Sequence, residues 1–270
     1  MKENKIPKGV RKMKKILLVA LAVLMVLSTF VACQKPEEPE DPKEDIYTKS
    51  EGVMTYEQYA AAAVESKVVV ETYIQAKQGW WEKDGVGVAT FYTQDGVGGY
   101  FLYNMPCSED DYNNKLKVGA KIKVTGYKAE WDGEVEIIDA TWTLLEGNYV
   151  APAKDVTATL ANEAELVKLQ NMFASVKGAT VVASADKEGT EKPFLYKWDG
   201  SGQQGDDIYF KVSVDGKTYG FCVESYLCGK DSATYKAAEA LKVGDKIDLE
   251  GFLYWYQGPQ PHVTAIKAAK

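Results

Sequence analysis

The stretch Leu116–Gly126, LKVGAKIKVTG, returns as Leu241–Gly251, LKVGDKIDLEG, with seven of eleven positions identical. In each copy a glycine precedes a run that alternates apolar and polar residues, and a second glycine closes it. That alternation is the period of a half-buried strand. The likeness continues in type, with Tyr127 facing Phe252, Gly133 facing Gly258 and Ile138 facing Val263. Upstream, Val88–Gly96 (VATFYTQDG) aligns with Ile208–Gly216 (IYFKVSVDG), and both end in Asp-Gly, a strong hairpin signal. The chain therefore reads as two copies of one module, residues 53–150 and 151–270.

Each module opens on a helix. Thr55-x-x-Gln58 is a capping box, and Asn162-x-x-Glu165 precedes Leu166, Leu169 and Phe173 at helical spacing. A β-branched strand follows (Lys67–Gln75, Ala179–Ala183), then a loop, the Asp-Gly hairpin, a short helix (Glu109–Leu116, Ser232–Leu241) and two last strands. Strand, strand, strand, helix, strand, strand is the plan of the OB-fold, a five-stranded Greek-key barrel. The expected fold class is mainly β: two tandem OB modules with short helices, after a signal peptide and an acidic, Pro-rich tether. The LKVG-x-KI pattern is similar to the strand-four signature of OB domains.

Arg11–Lys15 is a basic run, Ile16–Ala32 is 17 residues of mostly apolar sequence, and Cys33 follows. This is a secretory signal pattern, expected over residues 1–32. The alternative is an uncleaved anchor, for which 17 residues is short. Phe30-Val31-Ala32-Cys33 resembles the bacterial lipobox, departing from it in Phe where Leu is usual. Taken whole, the chain resembles tandem OB-fold lipoproteins of anaerobic bacteria. The resemblance implies cleavage before Cys33, a diacylglyceryl group on its thiol, and an extracytoplasmic protein whose first partner is the membrane. Residues 33–52, with prolines among acids at 36–42, are expected to be a solvated tether.

Composition removes several classes. Of 270 residues 46% are apolar and one is histidine, which nearly eliminates histidine triads and multi-histidine metal sites. Residues 1–32 carry seven of the 32 bases and one of the 39 acids; the remainder, 25 bases against 38 acids, is at −13. That balance argues against nucleic acid as a partner. Cys107, Cys222 and Cys228 are expected as buried free thiols, with a Cys222–Cys228 pair open only if the chain bends between them, and the lack of any CxxC removes zinc ribbons and thioredoxin-type motifs. Gly200–Gly205 fits GxGxxG, but a strand-like run follows where a helix should open. Asp199, Asp206 and Asp207 miss the EF-hand calcium spacing. No catalytic constellation, cofactor or metal site emerges, and the expectation is a binding protein rather than an enzyme.

OB-folds take ligands on the face of strands two and three, between the one–two and four–five loops. Trp80 and Trp81 fall in the first such loop of copy one, and Trp131, beside Asp132, in its four–five turn. In copy two Trp198 falls in the first loop, and Tyr254-Trp255-Tyr256 at the four–five turn. Stacking on a flat ligand is one reason for loop tryptophans; plugging a barrel mouth is the other. Asp132, Glu134 and Gln257 would serve as hydrogen-bonding neighbours for sugar hydroxyls. The expected ligand is a carbohydrate or another polar extracellular molecule. Single-stranded nucleic acid and a structural or protein-interaction role are the alternatives.

Overall fold

The computed structural model describes residues Asp45–Ala269; the signal segment, Cys33 and the start of the tether lie outside the described residues. Residues 44–270 cluster as one compact unit. Its first half runs α1 (Tyr56–Ala61), β1 (Lys67–Lys77), β2 (Trp81–Lys83), β3 (Val86–Gln94), β4 (Gly99–Pro106), α2 (Glu109–Asn114), β5 (Ala120–Trp131) and β6 (Glu134–Asn148). The second half runs β7 (Lys154–Asp155), α3 (Glu163–Leu166) with a 3₁₀ turn, β8 (Phe173–Val182), β9 (Ser184–Ala185), β10 (Glu191–Lys192), β11 (Leu195–Tyr196), β12 (Ile208–Val214), β13 (Lys217–Val223), α4 (Ala233–Glu239), β14 (Lys246–Phe252) and β15 (His262–Ala268).

Both halves close into barrels with one topology. In the first, β1 pairs β3, β3 pairs β4, β4 pairs β6 in parallel, β6 pairs β5, and β5 returns to β1. In the second, β8, β12, β13, β15 and β14 close in the same order, again with one parallel contact, β13 to β15. The helix lies between strands three and four in each. These are OB-fold barrels, and closure leaves no long free sheet edge.

Alternation fills the interiors. Val70, Phe91, Leu102, Ile122 and Val124 point into the first barrel, and Val181, Phe210, Val212, Phe221 and Leu249 into the second. Each such side chain contributes roughly 1.5–3 kcal/mol on leaving water. The closing glycine of the repeat has a steric cause in both copies. A Cβ on Gly126 would lie 2.6 Å from Ile137 Cγ2, and one on Gly251 would lie 2.8 Å from Val263 Cα. The β5–β6 and β14–β15 registers slip at these glycines, so each marks a bulge where two strands cross closely.

The capping box at Thr55 forms in full, and Asn162, Ser108 and Ser232 cap their helices. Two local expectations are corrected. Phe173 starts β8 rather than continuing the helix: the chain leaves the 3₁₀ turn at Gln170, and Phe173 pairs with Phe252. Asp95-Gly96 is not a two-residue hairpin turn. The loop spans residues 95–98, because the Asp95 carboxylate is buried: it accepts from Val97 N and Gly98 N, and pairs with Lys49 Nζ at 2.6 Å. The two-residue turns are Asp84-Gly85, Asp132-Gly133 and Asp215-Gly216, each with two positive φ values as the hairpin twist requires.

Candidate ligand-binding face

The outward face of β3 and β4 in the first barrel carries Tyr92 and Phe101. Both are buried, because the second barrel covers them. Tyr92 stacks on Phe252 with ring centroids 4.4 Å apart, and Phe101 meets Tyr254 edge-on at 5.5 Å. The Tyr92 hydroxyl is 2.6 Å from His262 Nδ1. Burial drives the His262 pKa down to about 3 and raises that of Tyr92, so the pair is a neutral phenol beside a neutral imidazole. The place where the first OB-fold would receive a ligand is therefore the seam between barrels.

The seam continues in the two four–five turns. Gln257 N donates to Asp132 O at 2.7 Å, and Gln170 Nε2 donates to Gly133 O at 2.8 Å. Glu134 is fully buried there. Its Oε2 accepts from Trp255 N at 2.9 Å and from Gln170 Nε2 at 3.2 Å. Desolvation outweighs these bonds and pushes its pKa up to about 8. Burial likewise raises Glu136 and Glu224 to about 7. Glu224 accepts from Gln78 Nε2 of the first barrel at 3.0 Å.

The equivalent face of the second barrel is open. On β12 the residues Ile208, Phe210 and Val212 turn inward, leaving Tyr209 and Lys211 outward. Lys211 lies opposite Gly220 of β13, where no side chain fills the space. A cavity of about 450 Å³ occupies this face. Trp198 forms one wall from the long one–two loop, and Tyr256, Gln257 and Gln260 form the other from the four–five turn. Trp198 is 76% exposed, and Tyr256 is 39% exposed. Trp131, 53% exposed, reaches across from the first barrel and packs on Tyr256 with centroids 5.2 Å apart.

The residues singled out by sequence thus separate into three groups. Trp198 and Tyr256 line the cavity and Trp131 packs on Tyr256, with Asp132 exposed next to Trp131. Trp255 is 5% exposed and belongs to the core of the second barrel, while Tyr254 stacks on His262 in the seam at 4.1 Å. Trp80 packs on the first barrel's core and donates through Nε1 to Cys107 O at 3.0 Å. Trp81 is exposed on β2, and among the described residues neither Trp80 nor Trp81 stacks on Trp131. Glu134 is a seam residue rather than a ligand contact. The sequence reading missed Ser184, Lys211 and Gln260. Lys211 sits at an outward strand position that alternation marks, but Ser184 and Gln260 carry no pattern of their own.

Among the described residues no group of three His, Cys, Asp or Glu is placed to hold a metal. Asp199 accepts from Ser201 and Asp206 from Gln203 N within the loop, while Asp207 accepts from Ser225 N and Oγ just after β13. Cys107, Cys222 and Cys228 are buried free thiols.

No protein-family model and no curated protein matches the chain. Solved structures with similar architecture include a murine DNA-binding protein bound to double-stranded DNA, at 13% identity and TM-score 0.33, covering 75% of this chain and 96% of that one. A replication protein A heterotrimer bound to single-stranded DNA is similar at 9% identity and TM-score 0.32, covering 78% and 51%. The single-stranded DNA-binding protein of Thermus aquaticus is similar at 12% and 0.24, covering 76% and 94%. At these similarities they carry no argument about the ligand of this chain. Two of the three were solved on DNA, however, and the charge-based expectation against nucleic acid is corrected accordingly. Its physical weakness is one of range: at physiological salt a charge acts over about 8 Å, so net charge does not describe the field at one site.

Proposed function

We propose that the chain is a non-catalytic binding protein that takes a ring-bearing oligomer on the open face of its second barrel. The carrying observation is that Trp198 and Tyr256 line the cavity beside β12 and β13, with Trp131 packed on Tyr256. Large rings held in water on one face are suited to stacking. The first ligand class is an oligosaccharide. The lining sets the amides of Gln257 and Gln260 beside those rings, with one acid, Glu163, and one base, Lys211. Planar amides next to an aromatic platform match a sugar's flat face and hydroxyl edge. The second class, single-stranded nucleic acid, is favoured by the site's position, since this face and these two loops are where OB-folds bind either polymer. Lys211 would then meet a phosphate, while bases would stack on the rings.

The proposal includes the N-terminus. Cys33 would carry the diacylglyceryl group, the acidic tether would hold the barrels away from the lipid, and the binding face would work outside the cytoplasm. The test is a binding screen of the full chain against a glycan array and short oligonucleotides, at two salt concentrations. Binding lost in Trp198→Ala, with folding intact, supports the site. Sugar binding is expected to change little with salt, whereas phosphate contacts give a steep negative slope. Retention of all binding in Trp198→Ala would remove this face from consideration.

A further inference from the structure

Ser184 lines the same cavity from β9, at the root of the long one–two loop of the second barrel. It is 2% exposed, and its Oγ has no hydrogen-bond partner. Its neighbours explain the burial but not the hydroxyl. The β9–β10 ladder pairs Ser184 with Lys192 through backbone, which uses the main chain and leaves the side chain idle. A buried polar atom without a partner is a cost of roughly 1–3 kcal/mol, and alanine would remove it at no loss of packing. The other seam and core hydroxyls nearby are engaged: Thr234 donates to Thr264 O, and Tyr235 donates to Asp206 O. Ser184 differs from them in being a residue of the cavity lining, beside Trp198 and Tyr256.

We infer that Ser184 Oγ is the specificity-determining hydrogen-bond partner of the bound oligosaccharide, meeting a sugar hydroxyl at the floor while Trp198 and Tyr256 hold the ring. This rests on the proposed ligand face and deepens it. Stacking is tolerant of what is stacked; a dry hydroxyl is not. Ligands that fail to reach it leave it unpaired, and such mismatches discriminate more sharply than a missing methylene. Because Ser184 both donates and accepts, it selects for an edge that presents a hydroxyl, which sugars have at most ring carbons.

The experiment titrates the full chain with cellohexaose, chitohexaose and a six-thymidine oligonucleotide, following tryptophan fluorescence. It compares wild type, Ser184→Ala and Trp198→Ala, and records thermal melting of each. The expected result is hexaose binding that weakens about tenfold in Ser184→Ala, with the melting temperature unchanged or slightly raised, and a loss in Trp198→Ala. Wild-type affinity in Ser184→Ala, with binding lost in Trp198→Ala, overturns the role of Ser184 and leaves the face standing. A lowered melting temperature with unchanged affinity makes Ser184 structural and overturns the inference in another way. No change in either variant, or no binding by any probe, overturns the ligand face beneath it. Binding of the oligonucleotide alone overturns the saccharide assignment.

Discussion

Glu134 is the place where a single proton is tied to the junction of the barrels, and Glu134→Gln tests it. The carboxyl is fully buried, with Oε2 accepting from Trp255 N and Gln170. Trp255 N, the Asn171 side chain and Gln170 all favour the ionised form, and desolvation outweighs the three together. Glu136 beside it adds a like charge that disfavours ionisation further. A carboxyl held from 4.5 up to about 8 in the folded chain prefers its protonated form by on the order of 5 kcal/mol, and by less if water reaches it. Below pH 4.5 both states bind the proton and the contribution is complete. Between 4.5 and about 8 the folded chain keeps a proton that the unfolded chain has released, so stability falls as pH rises. Above about 8 the contribution is gone. Glutamine keeps the acceptor and supplies a permanent donor, so the variant lacks this slope. Urea unfolding at pH 5, 7 and 9 should show the two proteins similar at pH 5, and the variant more stable by a few kcal/mol at pH 9. His262, Glu136 and Glu224 titrate in both proteins and largely cancel in the difference. Parallel pH profiles for wild type and Glu134→Gln would refute the protonated seam.

Three further outcomes are expected. Trp255→Ala, in the second core, should cost about 3–5 kcal/mol of unfolding free energy, whereas Trp198→Ala should change it by about 0.5 kcal/mol or less, both read by denaturant titration. Residues 53–150 expressed alone would expose Tyr92 and Phe101, so the fragment should bind a hydrophobic dye and self-associate, and Tyr92→Lys with Phe101→Lys should relieve both. Cys33→Ser should abolish metabolic lipid labelling of the full chain and leave its precursor uncut, which detergent partitioning and gel mobility check.

The barrel was readable because its determinants are local. The glycine pair around each strand four, the Asp-Gly turns, the caps at Thr55 and Ser232 and the period-two alternation act within a few residues. Where a turn failed, at Asp95-Gly96, the cause was distant: Lys49 claims the carboxylate from outside the repeat. The site was half readable for the same reason. Loop position separated Trp198, Trp131 and Tyr256 from strand residues, but nothing local distinguishes Trp255, whose ring turns into the core, from Tyr256 next to it, whose ring turns out. That difference is set by the tight loop in which Tyr256 N donates to Gly258 O and Gln260 N to Tyr254 O.

The two copies diverge on the outward face of their second and third strands. In the first, β1 and β3 are joined by a short connection containing only β2, and the outward positions of β3 and β4 are large aromatics, Tyr92 and Phe101. In the second, residues 183–207 separate β8 from β12, and the outward positions are Tyr209, Lys211 and Gly220. A face of buried aromatics suits a permanent contact, since covering it removes apolar area from water and needs no exchange of partners. A face with an open glycine, one lysine and a long loop suits a contact that forms and breaks. The first barrel then serves the second twice: it fixes the four–five turn through Glu134, Gly133 and Asp132, and it extends the aromatic platform with Trp131. On the proposed reading one ligand per chain is expected, although the fold is present in duplicate, because the face that would make a second site is the one that joins the barrels.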